Sequence, residues 1–185
     1  NEFNPDKGVI ALMYHRFNEN KYPSTNIKNE IFLKHLNEIN ISKFEFISFN
    51  KFSEIIKSKM EKNYLLLTID DGFESFYSNA WPVLKKRKIP FILFVSTREV
   101  GKYGYMSWEQ IREIEKNDFV TIGNHSHTHE YLIDWSDNKN EAEDILCDPN
   151  IEIVTITVTE SGYYISEDNE LNLNLKIVQD NIKKK

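Results

Sequence analysis

Short apolar runs alternate with amphipathic stretches through the first two-thirds of the chain. Val9–Met13, Phe44–Ile47, Tyr64–Ile69, Pro90–Val95 and Val120–Gly123 are compact and rich in β-branched or aromatic residues, and each predicts a strand. Between them, Ile31, Phe32, Leu36 and Ile39 fall at helical spacing and predict an amphipathic helix over Asn29–Ile39. Phe52, Ile55 and Ile56 predict a second helix, with Asn50 as its N-cap. A third helix is expected over Phe73–Lys86. Pro82 lies inside it, so the helix must kink or restart near Asn79 or Ala80, with Pro82 in a new first turn. Ser107 followed by Gln110 forms a capping box for a fourth helix, ending near Lys116. Strand and helix alternate throughout, which predicts an α/β fold with a parallel sheet or barrel. Pro90–Val95 is apolar without interruption, as expected of a strand buried on both faces.

The pattern changes after Cys147-Asp148-Pro149-Asn150. Ile151–Val158 alternates with β-branched residues and predicts a strand. Thr159–Ile165 and an acidic, hairpin-like stretch to Leu175 follow, and a lysine tail closes the chain. Two parts are therefore expected, residues 1–147 and a short β-rich appendage over 148–185. The chain has 185 residues, 40% of them hydrophobic and 28% charged, enough to bury a core. A net charge of −6 argues against nucleic acid or an anionic membrane as partner. No apolar run approaches the roughly 20 residues that cross a bilayer. The single cysteine, Cys147, excludes an internal disulfide and fits a small buried hydrophobe.

The chemistry concentrates in two stretches. Thr68-Ile69-Asp70-Asp71-Gly72-Phe73 ends one apolar run with adjacent carboxylates, and His125-Ser126-His127-Thr128-His129 follows another. In α/β folds ligands bind at the C-terminal ends of strands. Neighbouring strand residues face opposite ways, so one aspartate can bind a metal while the other faces substrate. His125 and His129 are four apart and share a face in a helical turn. One Asp and two His make a three-ligand zinc set with a position open to water. Either stretch alone is weak, because Asp-Asp-Gly is a common turn. His15, at the end of the first strand, has two readings, a place beside Asp70 or a structural histidine. Lys85, Lys86, Arg87 and Lys88 sit where cations oppose a helix dipole, a better account than a polyanion patch. Tyr103, Tyr105 and Trp108 can stack on sugar rings, although packing beneath a loop is the commoner use.

Thr-Ile-Asp-Asp-Gly together with His-Ser-His-Thr-His resembles the first two motifs of the polysaccharide deacetylases, carbohydrate esterase family 4. Met13-Tyr14-His15, Trp81–Leu84 and Phe91–Val95 also resemble that family, and the resemblance spans roughly residues 8–146. It implies an irregular (β/α) barrel and a metal-dependent hydrolase that removes N-acetyl or O-acetyl groups from a polysaccharide. It also implies Asp70 as catalytic base, Asp71, His125 and His129 as metal ligands, and zinc as the metal. Ile69 stands where the family usually has Phe, a conservative apolar exchange. Export to the cell envelope or beyond is implied, although no leader is present in these residues.

About five strand–helix units precede Leu146, fewer than a complete domain implies, so an incomplete barrel is expected. The family's late Leu-x-x-His, which supplies a general acid, has no counterpart after His129. Metal binding with impaired turnover is the expectation. Residues 150–182 resemble a short piece of the mannitol dehydrogenase family, which suggests a chimeric or truncated chain. No Gly-x-Gly-x-x-Gly occurs, so hydride transfer lacks its cofactor motif. An inactive metal- or glycan-binding fragment is the alternative, with a polyol oxidoreductase fragment behind it.

Overall fold

The computed structural model describes residues 7–41, 43–56 and 62–129, and the backbone of 156–159 and 162–165. The chain divides into two compact units, Asn1–Phe94 with Val100–Thr121, and Val95–Glu99 with Ile122–Lys185. Strand β1 (Gly8–Tyr14) is followed by β2 (Arg16–Phe17), β3 (Asn26–Ile27), helix α1 (Asn29–Ile41), β4 (Phe44–Phe46) and helix α2 (Phe49–Ile55). Strand β5 (Asn63–Ile69) leads through a π-helical turn, Phe76–Ala80, into helix α3 (Trp81–Arg87). Then come β6 (Phe91–Val95), helix α4 (Trp108–Glu115), β7 (Val120–Asn124), β8 (Ile156–Thr159) and β9 (Gly162–Ile165).

The main sheet runs in the order β1-β5-β6-β7, with β4 also paired to β5. Strand β5 pairs in parallel with β1 along its whole length, from Gly8↔Asn63 to Tyr14↔Ile69. Its other edge is shared, with β4 beside Asn63–Leu65 and β6 beside Thr68 and Ile69. This double pairing explains the sequence of β5. Leu65, Leu66, Leu67 and Ile69 are all buried, because the strand is covered on both faces as well as both edges. No closed barrel forms among the described residues. β1 ends the strand order, and its Ile10 and Met13 are 42% and 61% exposed.

The core of the first unit is aromatic. Phe17, Phe32, Phe76, Trp81 and Phe91 are buried and meet edge-on or tilted, with Phe17–Phe32 centroids 5.0 Å apart and Phe76–Phe91 5.5 Å apart. Phe76→Ala would remove a fully buried ring, a change that typically costs about 3–5 kcal/mol.

Most of the expected elements are found, the restart at Pro82 among them, with two differences. The helix bearing Pro82 does restart, α-helical from Trp81 after the π-helical turn, with Pro82 in its first turn where a missing N–H is harmless. The N-cap of α2 is Ser48 rather than Asn50. Ser48 has the extended backbone (φ −73°, ψ 165°) that a cap needs, and its Oγ accepts from Lys51 N–H, whereas Asn50 already lies inside the helix. The loop expected over Asn18–Asn26 closes on a small parallel bridge, Arg16↔Asn26 and Phe17↔Ile27, too short to show as alternation. The capping box of α4 is present in both directions, Ser107 Oγ to Gln110 N–H and Gln110 Oε1 to Ser107 N–H.

In the second unit, the strand expected over Ile151–Val158 appears in its last part as β8. It pairs antiparallel with β9, from Ile156↔Ile165 to Thr159↔Gly162. Cys147 and the expected boundary after it lie outside the described residues.

The basic run at the end of α3 is used locally. Lys85 Nζ donates to Glu113 Oε1 at 2.9 Å, Arg87 to Asn37 Oδ1 at 2.8 Å, and Lys88 closes the helix in the left-handed region. Glu113 also accepts from Tyr77 Oη at 2.6 Å. Lys85 and Tyr77 together hold the Glu113 carboxyl down at about 2. A carboxyl lowered on folding stabilises the fold above its unfolded value and loses that contribution as pH falls through the folded value. Glu113 is part-exposed, so Glu113→Gln is expected to cost no more than about 1 kcal/mol at neutral pH. Denaturant titrations should show that difference shrinking between pH 4.5, the ordinary value, and pH 2.

Candidate functional site

Strand β5 ends at Ile69, and Asp70 continues its hydrogen bonding for one more residue, donating its N–H to Tyr14 O at 2.8 Å. Asp70 is consequently fixed and buried, at 7% exposure. Asp71 then turns into the left-handed region at φ 73°, followed by Gly72 at φ 78°. Asp tolerates that region better than most residues because its short side chain can bond locally. Two successive left-handed residues reverse the chain at once, so the carboxylates stand at the tip of the strand. The turn is then held by the loop after β6. Met106 N–H donates to Gly72 O at 2.9 Å, Glu74 N–H donates to Gly104 O at 3.0 Å, and Phe73 forms a bridge with Tyr105.

His15 leaves β1 directly after Tyr14, which lies opposite Ile69 in the register. The Asp70–Tyr14 hydrogen bond extends that pairing, so His15 emerges next to Asp70. Tyr14 itself turns inward, where its Oη lies 2.9 Å from His35 Nδ1, and burial raises its phenol above the ordinary value.

The histidine stretch is organised by its own unit. His125 N–H donates to Val95 O at 3.1 Å, Ser96 Oγ to His125 O at 2.9 Å, and Arg98 N–H to His127 O at 3.0 Å. Thr97 Oγ1 lies 2.7 Å from His127 Nδ1. The middle histidine thus ties the stretch to Val95–Glu99, and the outer two are brought together. The His125 and His129 rings meet edge-on, with centroids 4.8 Å apart. The expected helical turn is not what unites them. Ser126 and His129 are left-handed, at φ 60° and 57°, and Ser126 Oγ accepts from His129 N–H at 2.9 Å. Left-handed non-glycine residues cost energy and gather at functional sites. Of the six among the described residues, Asp71, Ser126 and His129 fall in these two motifs.

Tyr105 packs on Phe73 with centroids 4.8 Å apart, as expected of an aromatic beneath a loop, whereas Tyr103 is fully exposed. Several residues that build the site were not evident from the sequence. Ser96, Thr97 and Ser126 act through single hydrogen bonds, and nothing in their spacing marks them.

A family model described as polysaccharide deacetylase matches residues 57–160, more than half of the chain. The sheet topology and this match define an α/β protein, and the chain belongs to the polysaccharide deacetylase family. The match runs through residue 160, past the change of character at Cys147, and the resemblance of residues 150–182 to a mannitol dehydrogenase finds no support. The chain is 27% identical over 143 residues to a poly-beta-1,6-N-acetyl-D-glucosamine N-deacetylase of Staphylococcus aureus, an alignment covering 68% of this chain and 49% of that protein. It is 31% identical to the structure of IcaB from Ammonifex degensii, with a TM-score of 0.60 over 65% of this chain and 54% of that one. A polysaccharide deacetylase from Bacillus cereus shares the fold at 17% identity, with a TM-score of 0.63 over 89% of this chain and 62% of that one. The chain spans about half the length of the curated relatives it matches. Among the described residues, no helix is long and apolar enough to cross a membrane.

Thr97 is buried with its hydroxyl against His127, so Thr97→Val exchanges that bond for a methyl group. We expect a loss of about 1 kcal/mol in denaturant unfolding. An unchanged midpoint would show that this bond does not hold the histidine stretch.

Proposed function

We propose that the chain removes N-acetyl groups from a polysaccharide, with a divalent metal, zinc by the chemistry of its ligands, held by Asp71, His125 and His129. The observation that carries the reading is the buried strand of a polysaccharide deacetylase ending in Asp70 and Asp71, the second turned left-handed. The donor set fits the group. Two imidazoles whose rings already meet at 4.8 Å and one carboxylate are the nitrogen and oxygen ligands that zinc takes, with a position left open. Such an ion, when bound, polarises a carbonyl and lowers the pKa of water.

The chain's own residues supply the proton chemistry. Asp70, fixed by its backbone bond to Tyr14, takes the proton from the attacking water. The carbon–nitrogen bond then breaks, and the departing nitrogen needs a proton. His15 emerges beside Asp70 and can serve as the acid. Acetate and a free amine are the products. The relative from Staphylococcus aureus is named for β-1,6-linked N-acetylglucosamine polymer, which makes that polymer the first substrate to try. O-acetyl groups are the second. No observation favours a polyol oxidoreductase, and an inactive glycan-binding chain is the outcome if no acetate is released.

Zinc content of the purified chain tests the ligand set. We expect about one zinc per chain, lost in His125→Ala and in Asp71→Asn. Asn tolerates the left-handed backbone, so the second variant should remain folded. Zinc content unmoved by either change would remove these residues from the site. For His15→Ala we expect zinc to be retained while turnover falls about 10²- to 10⁴-fold, the usual contribution of a general acid. Turnover equal to wild type would exclude His15 from that role.

A further inference from the structure

We infer that Arg16 is a positioning residue for the carboxylate turn, acting as a flat plate stacked on Phe73; the inference rests on the deacetylase reading. The guanidinium carbon of Arg16 lies 3.5 Å from the centre of the Phe73 ring and 4.3 Å from that of Tyr22. Phe73 is the second residue after Asp71, and its ring packs on Tyr105, centroids 4.8 Å apart. Tyr22, Arg16, Phe73 and Tyr105 are therefore linked by successive ring contacts. These contacts join the segment after β1, the carboxylate turn after β5 and the loop after β6.

The plate is held from behind. Arg16 Nη1 donates to both Glu19 carboxylate oxygens, at 3.2 and 3.0 Å. Glu19 is held in turn by Asn26, which accepts from Glu19 N–H and donates to Glu19 O, both at 2.9 Å. Arg16 N–H donates to Thr25 O at 3.0 Å. The side chains of Arg16 and Glu19 are only 16% and 24% exposed. A guanidinium neutralised by the Glu19 carboxylate and in contact with two rings is poorly placed to bind an anionic ligand. What it offers is a fixed planar surface, which an ammonium cannot replace.

The consequence falls on Asp71 and Gly72. The left-handed conformation of Asp71 costs energy and persists only where the surroundings enforce it, whereas glycine adopts it freely. Two backbone bonds secure the turn from the side of the β6 loop, Met106 N–H to Gly72 O and Glu74 N–H to Gly104 O. Arg16 secures Phe73 by lying over its ring. Without the plate, the turn's hydrogen bonds open more readily, because the wall that fixes its angle is gone.

The test uses the full chain with Arg16→Lys, Arg16→Gln and Phe73→Leu. Hydrogen exchange at the amides of Met106 and Glu74 reads the turn directly and needs no activity. We expect exchange there to quicken roughly tenfold in Arg16→Gln and Arg16→Lys, with β6 and α3 unchanged. Zinc affinity should fall about 10- to 100-fold, as for residues that orient a ligand. Turnover should fall with KM within about twofold, because the catalytic groups are misplaced while substrate binding is spared. Phe73→Leu should reproduce these effects, and combining it with Arg16→Gln should add little. Exchange and zinc affinity like wild type would overturn the inference, even if melting temperature drops. A raised KM with unchanged kcat would instead make Arg16 a substrate contact and also overturn it. A wild-type chain that neither binds zinc nor releases acetate would overturn the deacetylase reading, and the exchange experiment would still decide whether Arg16 holds the turn.

Discussion

The pairing of β5 on both edges fixes where its two terminal carboxylates emerge. A strand covered on every side has no freedom along its length, and its last residue, Ile69, is fully buried beside Tyr14 and Leu93. Asp70 is held by one further rung of the same ladder, its N–H on Tyr14 O. Asp71 is the first residue past that rung, and it turns left-handed at once. The two aspartates thus differ in backbone setting, one on the ladder and one on the turn. One carboxylate is buried and fixed as a base should be, and the other stands on a sharp turn whose geometry depends on Gly72, Phe73 and what packs on them.

Where the sequence proved sufficient, burial or a local backbone rule dictated the pattern. The uninterrupted apolar run of β6 leaves no face for polar residues, so it reads correctly as a strand buried on both faces. Ser107 and Gln110 form both halves of a capping box because the spacing alone brings them together. Pro82 reads as a restart because its ring fits only a helix's first turn.

What the sequence could not show depends on contacts between distant residues. His125 and His129 meet, but through left-handed residues and the Ser126 hydroxyl rather than along a helix, and a four-residue spacing does not distinguish the two. His15 at a strand end left two readings open, and the one beside Asp70 draws its support from the register of β1 on β5, which no pattern in either strand reveals. The contact between Arg16 and Phe73 joins residues far apart in the sequence, and no pattern around Arg16 marks it. Ser48 caps α2 in place of Asn50 because backbone conformation, rather than residue type, selects between two good caps.

The most direct measurement is acetate release from β-1,6-linked N-acetylglucosamine oligomers by metal-stripped chain before and after zinc is restored, beside Asp70→Asn. Release should appear with zinc and be abolished in Asp70→Asn, which should still bind the metal. Release indifferent to zinc or to Asp70, or none from folded chain carrying zinc, would contradict a metal-assisted deacetylase with Asp70 as its base.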